Sequence, residues 1–390
     1  MRKRERGILK RLLDVMNPYR WVTWARNRMF DKGILESRSF DIATICIGNI
    51  SVGGTGKTPH TEYLIGLLQK NHSIAVLSRG YGRKSKGYVR ADEATPMPQI
   101  GDEPFQIKNK FPGISVAVCE KRVTGIERLA SEVKGLDAIL LDDAYQHRYV
   151  KAGLNILLID SNRPIWQDCV LPFGLLRESI AGIRRADIAV MTKCDGITED
   201  EKAWCRNYIK GWKEIPVFFS RMRYGDCYPL FRSECKADGY GKAKEVLLVT
   251  GIAKPEPLRA ELASRGAKVT LMQFGDHHNF STADLDGIAA RFEAIEEKDK
   301  VIVTTEKDAT RLLQRTDLAR SIRENIHVMP IKVEILGDEE EVFNKIVEEY
   351  VTENSGNSRI PKEQDELCAR DSHHSWYRSR QPCERDYRQV

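Results

Sequence analysis

The stretch Ser51-Val52-Gly53-Gly54-Thr55-Gly56-Lys57-Thr58 constrains this chain more than any other. An apolar run from Ile42 to Ile50 precedes it, and a helix-like segment from Pro59 to Lys70 follows. Strand, glycine-rich loop, then helix is the context that a phosphate-binding P-loop requires. Gly53, Gly54 and Gly56 let the backbone curl so that its N–H groups point inward at phosphate oxygens. Lys57 then reaches the β- and γ-phosphates of a nucleoside triphosphate, Thr58 ligates Mg²⁺, and the helix N-terminus adds a favourable dipole. Pro59 suits a first helical turn. Ser51 stands where the usual pattern begins with Gly.

A chain of 390 residues is long enough for two or three domains with a substantial core. Its nine cysteines lack paired metal-ligand spacing. The odd count and the absence of a signal-peptide pattern predict a reduced cytosolic protein. Cys46, Cys119 and Cys194 lie in apolar runs and read as core residues.

The formal net charge of +6 is concentrated in one place. Residues 1–33 hold ten Lys and Arg against three acids, a local charge of +7, which leaves the remainder near neutrality. Within that segment Ile8, Leu9, Leu12, Leu13 and Met16 fall on one helical face, and Tyr19, Trp21, Trp24 and Phe30 follow Pro18 among further arginines. No apolar run approaches the ~20 residues of a membrane span. A basic amphipathic helix with interfacial aromatics predicts a helix lying on an anionic membrane surface. A helix docked on the protein's own core is the competing reading. Nothing resembles a nucleic-acid recognition motif, so no nucleic-acid partner is expected.

From residue 41 short apolar strands alternate with helical stretches, with strands expected at 42–50, 74–78, 114–119, 137–142, 155–160 and 188–192. Such alternation predicts an α/β fold with a mostly parallel P-loop NTPase-like sheet and helices on both faces. A second series (VLLVTG from Val246, KVTLMQF at 268–274, KVIVTTEKD at 300–308) predicts a smaller C-terminal α/β domain. The segments 216–224 and 327–336 are expected to pair as a two-stranded linker between the domains. The predicted divisions are 1–35 for the membrane-surface helix, 36–223 for the P-loop domain and 224–336 for the smaller domain with its ribbon. A closing helix over 337–351 and a disordered tail over 352–390 complete them. His373 and His374 belong to that tail.

The run Leu136 to Leu141 ends in Asp142-Asp143, where a P-loop protein carries its Mg²⁺ carboxylate. Gln146, His147 and Arg148 follow at once. Gly101-Asp102-Glu103-Pro104 reads as a loop with two acids; a kinase needs a carboxylate near its acceptor hydroxyl, but the residues alone favour a solvent-exposed turn. Asp276-His277-His278 follows another strand and fits an acid–base pair, a metal site or a surface loop. Thr192-Lys193-Cys194-Asp195 is similar to the base-reading motif of GTPases, but its first residue is wrong for guanine specificity; Lys193 can still pack its stem against a base. Arg79, Arg122 and Arg177 each fit a phosphate contact or an ordinary surface arginine.

Taken together, GNISVGGTGKTP (48–59), SRGYGR (78–83), GDEP (101–104), DDAYQHR (142–148), LPFGLLRE (171–178), TKCD (192–195), DHHNF (276–280) and TTEKDATRL (304–312) resemble the tetraacyldisaccharide 4′-kinases of lipid A biosynthesis. They occur in family order over about residues 8–350. Ser51 at the head of the P-loop is a trait of that family. Ala144, where the family usually has Gly, and the tail beyond 352 depart from it. The resemblance implies transfer of the ATP γ-phosphate to the 4′-hydroxyl of a tetraacylated glucosamine disaccharide 1-phosphate, by a peripheral protein on the cytoplasmic face of the inner membrane; a monomer is expected, though the sequence does not reveal the oligomeric state. It implies that Asp102 and His277 form a dyad activating the acceptor and that Asp142 and Asp143 serve Mg²⁺. It places Glu103, Gln146 and His147 in the same site, with Arg79, Arg122 and Arg177 on phosphates. Because Asp102 and His277 fall in different domains, the two must close together for catalysis. The competing classes are a membrane-anchored P-loop switch ATPase and a metal-chaperone GTPase.

Overall fold

The structure, a computed structural model, describes residues 16–231, 234, 240–276 and 278–357. The basic residues before Met16, His277 and the tail histidines lie outside the described residues. Two sheets organise what is described. The first eight strands are β1 (Ala43–Gly48), β2 (Ile74–Ser78), β3 (Val89–Arg90), β4 (Ser115–Val118), β5 (Ala138–Asp142), β6 (Leu154–Asp160), β7 (Ile188–Thr192) and β8 (Val217–Tyr224). They are followed by β9 (Tyr228–Pro229), β10 (Glu245–Thr250), β11 (Lys268–Gln273), β12 (Lys300–Thr305), β13 (Ile326–Met329) and β14 (Ile331–Ile335). The nine-stranded sheet runs β14-β8-β7-β6-β1-β5-β2-β4-β3, and the five-stranded sheet β11-β10-β12-β13-β9. In the large sheet only the two edge pairings, β14 on β8 and β3 on β4, are antiparallel.

The central strands are buried along their whole length, as expected of parallel strands covered on both faces. One face packs Leu64, Ile65 and Leu68 of the helix Lys57–Leu68, Phe105 and Ile107 of Asp102–Lys110, and Phe343, Val347 and Val351 of Glu340–Asn357. The other packs Ile126 and Leu129 of Arg122–Glu132 and Cys205 and Ile209 of Glu199–Lys210. Cys46, Cys119 and Cys194 are buried free thiols, and burial pushes that of Cys46 up to about 12.

Three details differ from the sequence expectation. The segment 327–336 is not one linker strand: Pro330 offers no N–H to a ladder, and the chain splits there into β13 of the small sheet and β14 of the large one. Its pairing with 216–224 is therefore an edge of the large sheet, since β8 also pairs in parallel with β7. Gly101-Asp102-Glu103-Pro104 is not a loop, because a helix begins at Asp102. Gly101 turns the chain with φ +91, and two acids in a first turn suit the positive end of the helix dipole. The closing helix runs on to Asn357, beyond the expected start of the tail.

Candidate active site

Strand register decides which residues meet at the C-terminal edge of the large sheet. Ile47 of β1 is level with Asp142 of β5, and Asp160 of β6 with Thr192 of β7, so the P-loop emerges between two strand-end acids. Gly56 adopts φ +88, and a side chain there would strike Met222. Asn49 donates to Thr55 Oγ1 at 2.6 Å, Thr192 Oγ1 to the Thr55 carbonyl at 2.9 Å, and Lys193 Nζ to the Gly54 carbonyl at 2.5 Å. Lys193 also pairs with Asp160 at 2.7 Å, so its ammonium braces the loop. His60 Nδ1 donates to the Gly56 carbonyl at 2.7 Å, and burial holds the ring down to about 4, hence neutral.

The segment LPFGLLRE reaches the loop by backbone pairing. Val52 N–H donates to the Leu175 carbonyl at 2.7 Å and Arg177 N–H to the Ile50 carbonyl at 2.8 Å. That pairing delivers the Arg177 guanidinium to Asp143 at 2.9 and 3.1 Å and to Gln146 Oε1 at 3.3 Å. Lys57 Nζ stands 3.6 Å from the same Asp143 carboxylate. Asp143 has φ 46 and Lys193 φ 59, the two non-glycine residues with positive φ among the described residues. Left-handed backbone at both lips of one loop is strain of the kind that collects at functional sites.

Asp142 is buried, with Thr61 Oγ1 at 3.5 Å and Ser78 Oγ at 3.3 Å. Burial, then the charges of Glu103 and Asp143, push its carboxyl up to about 7. Among the described residues no group of three or more His, Cys, Asp or Glu side chains forms a metal site by itself. The donor set nevertheless fits Mg²⁺, which keeps waters and takes one or two carboxylates plus substrate phosphates. Crowded carboxylates, with Asp142 reluctant to ionise, are what a divalent cation relieves.

The remaining expected residues divide. Arg122 is not an exposed phosphate contact: its side chain is nearly fully buried, bonded to the Cys119 carbonyl at 2.7 Å and the Asp142 carbonyl at 3.4 Å. His147 accepts the Arg122 N–H at 3.3 Å, and burial with the Arg122 charge lowers it to about 4. Gln146 Nε2 donates to the Asn49 carbonyl at 2.7 Å. Arg79 is exposed at the end of β2. Glu103 lies within electrostatic reach of Lys57 and Asp143, so the helix Asp102–Lys110 faces the loop. Asp102 pairs with Arg311 of the helix Glu306–Leu312. In the DHH run, Asp276 accepts from Lys307 Nζ at 3.3 Å and His278 meets Asp284 at 2.9 Å.

The family model described as Tetraacyldisaccharide-1-P 4′-kinase matches residues 9–352. The chain belongs to this family. Among its relatives, the tetraacyldisaccharide 4′-kinase of Phocaeicola vulgatus is 44% identical over 363 residues, covering 91% of this chain and 99% of that protein. That of Bacteroides thetaiotaomicron is 44% identical over 372 residues, 92% and 97% of the two chains. The crystal structure of the apo form of LpxK from Aquifex aeolicus in complex with ATP matches with a TM-score of 0.67 and 28% identity, over 85% of this chain and 96% of that one.

Several residues around this tetraacyldisaccharide 4′-kinase site escaped the sequence reading. Glu178 is buried and accepts from Asn27, Gln146 and Arg185 at 3.0, 3.0 and 2.7 Å. Asp160 had a usable signal, an acid ending an apolar strand. Arg163, whose guanidinium stands over Gly53, had none. Beyond Lys193 a cleft of about 460 Å³ is lined by Asn162, Trp166, Asp195 and Trp204, brought together from two separate segments.

The helix Pro18–Asp31 packs on this same site. Asn17 donates to the Leu171 carbonyl at 2.6 Å, Tyr19 to the Arg177 carbonyl at 3.1 Å, and Arg26 to the Gln146 carbonyl at 3.2 Å. Its other side exposes Trp21, Val22 and Trp24. One face of this helix is thus docked on the protein's own residues, while Ile8, Leu9, Leu12 and Leu13 of the expected amphipathic helix lie outside the described residues. No described helix is long and apolar enough to cross a membrane.

Proposed function

We propose that this chain, an ATP-dependent kinase of the tetraacyldisaccharide 4′-kinase family, phosphorylates the 4′-hydroxyl of a tetraacylated disaccharide 1-phosphate through the residues described above. The observation that carries the proposal is the cluster of Lys57, Asp143 and Arg177 at the mouth of the P-loop. Two cations and a carboxylate there match the needs of phosphoryl transfer, which is positioning and charge stabilisation. The loop backbone and Lys57 hold the β- and γ-phosphates, and Arg177 neutralises charge on the transferring group. Thr58, Asp142 and Asp143 would hold Mg²⁺, which would supply neutralising charge to the triphosphate. The adenine sits in the cleft between Lys193 and the two tryptophans, Trp166 and Trp204.

At the acceptor end Asp102 and His277 take the proton of the 4′-hydroxyl. The hydroxyl oxygen bonds to the γ-phosphorus, the bond to the β,γ-bridging oxygen breaks, and ADP leaves. The exposed face of the helix Pro18–Asp31 lies on an anionic membrane, on the cytoplasmic side of the inner membrane, and presents the site to a lipid substrate. The test supplies γ-labelled ATP with and without the purified lipid disaccharide. Label should pass to the lipid, and ADP should appear only when the acceptor is present. ADP release that ignores the acceptor would instead establish a P-loop switch ATPase.

A further inference from the structure

The run TTEKDATRL takes no part in holding phosphate, yet it bridges the two sheets. Thr305 ends β12 and caps the helix Glu306–Leu312. That helix packs on the helix Asp102–Lys110 of the large sheet. Three of its charged side chains divide the work. Asp308 is fully buried and accepts from Thr250 Oγ1 at 2.9 Å, Gly251 N–H at 3.0 Å and Thr305 Oγ1 at 2.7 Å. It thereby fixes the helix to the end of β10, where Gly251 lies against Gly275, just before the DHH run. Lys307 holds Asp276 of that run at 3.3 Å. Arg311, with a side chain only 4% exposed, lies 3.9 Å from Asp308 and pairs with Asp102.

We propose that Arg311 is a positioning residue that orients the Asp102 carboxylate toward the acceptor hydroxyl. The inference rests on the reading of Asp102 as a base. Asp102 is a first-turn residue of its helix, and the guanidinium reaches it from the helix Glu306–Leu312. Arg311 reaches Asp102 Oδ2 through Nη2, and a planar guanidinium aims that donor rigidly, which an ammonium does not. Burying that guanidinium is costly, and tethering the two helices does not require it. Lys110 already joins them by pairing with Glu306 at 2.6 Å. What Arg311 adds is the direction of one carboxylate.

The experiment measures kcat, the KM for ATP and thermal melting in full-length Arg311→Gln, Arg311→Lys, Asp102→Asn and the Asp102→Asn/Arg311→Gln double variant, using lipid acceptor. Arg311→Gln should lower kcat about 10–100-fold, the scale of a reacting group displaced by about an ångström, with the KM for ATP unchanged. Arg311→Lys should recover part of the loss. On the Asp102→Asn background the Arg311 substitution should cost nothing further, because a residue acting through Asp102 has nothing left to orient. Losses that multiply in the double variant, or Arg311→Gln within twofold of wild type, overturn the inference. If Arg311→Gln does not fold, the same comparison made with Arg311→Lys decides it. Asp102→Asn with unaltered kcat would overturn the base assignment itself, whatever Arg311 does.

Discussion

The phosphate end and the acceptor end of this site are built on opposite plans. At the phosphate end everything belongs to one sheet: the loop after β1, Asp142 and Asp143 after β5, Lys193 after β7, and Arg177 on a segment paired directly with the loop. Strand register alone places these groups. The acceptor end is divided, with Asp102 on the large sheet and Asp276 on the small one, and the helix Glu306–Leu312 holds both through Arg311 and Lys307. A site assembled from one sheet is placed without reference to the other. A site assembled across two sheets reports on how those sheets are seated. Nucleotide binding and acceptor activation should therefore fail separately.

Lys57→Ala is the harshest test of that separation. It removes a cation from the transferring phosphoryl group, where such charges are worth about 10³–10⁵ in kcat. Turnover should fall on that scale while the melting temperature stays near that of wild type, and a folded variant with normal kinase activity would end the P-loop assignment. Asp102→Asn attacks the other end. A general base contributes about 10²–10⁴-fold, so kcat should drop within that range with the KM for ATP within a few-fold of wild type. A large rise in the KM for ATP would show that the two ends are not independent.

The two ends were also unequally legible in the sequence. Strand-loop-helix punctuation and an acid after an apolar run identify Lys57, Asp142 and Asp143, because local pattern and strand register carry the same information there. Arg177 was recognisable only as one basic candidate among several, since its place depends on pairing between residues 120 or more positions from the loop it serves. Arg122 reads as a phosphate contact or a surface arginine, yet it is a buried brace under Asp142, and no one-dimensional pattern distinguishes these. The division of 327–336 between two sheets was written in Pro330, a ladder breaker inside an otherwise continuous apolar run. Arg311 and Glu178 act through partners distant in the chain, and composition near them carries no trace of it.

Between the two ends stands the Lys110 pair of ion pairs. Glu62 and Glu306 are both buried, and Lys110 is partly so. Replacing Lys110 with Met leaves two carboxylates buried without their cation, costing about 3 kcal/mol, the lower end of the range for breaking a buried pair. The penalty should depend on pH. Burial and the Glu306 charge raise Glu62 to about 7, so the folded state holds that proton more tightly than the unfolded chain does. Its contribution is present at low pH and lost as pH rises through about 7. Chemical denaturation of Lys110→Met should show the full deficit at pH 8 and a smaller one at pH 5.5, where Glu62 takes up a proton. A deficit unchanged between the two pH values would mean that Glu62 is ionised throughout.

The smallest expected effect concerns the helix Pro18–Asp31, which is fastened to the phosphate end through Leu171, Arg177 and Gln146. Its outer face carries Trp21 and Trp24 in edge-to-face contact at 5.8 Å, each about half exposed. Exposed tryptophans beside Arg20 and Arg28 are suited to a headgroup boundary, where ring and cation both find partners. Each ring that enters the boundary contributes on the order of 1 kcal/mol at about 25 cal/mol per Å² of apolar surface. A Trp21→Ser/Trp24→Ser variant should therefore bind anionic vesicles roughly tenfold or more weakly. Its kcat on detergent-dispersed acceptor should stay at wild-type level, because neither ring faces the catalytic groups. Activity on acceptor embedded in a bilayer should fall with the binding. Unchanged vesicle affinity would remove the membrane role from this face. A collapse of activity in detergent as well would instead make the helix a structural wall of the phosphate end, tying the two functions the comparison separates.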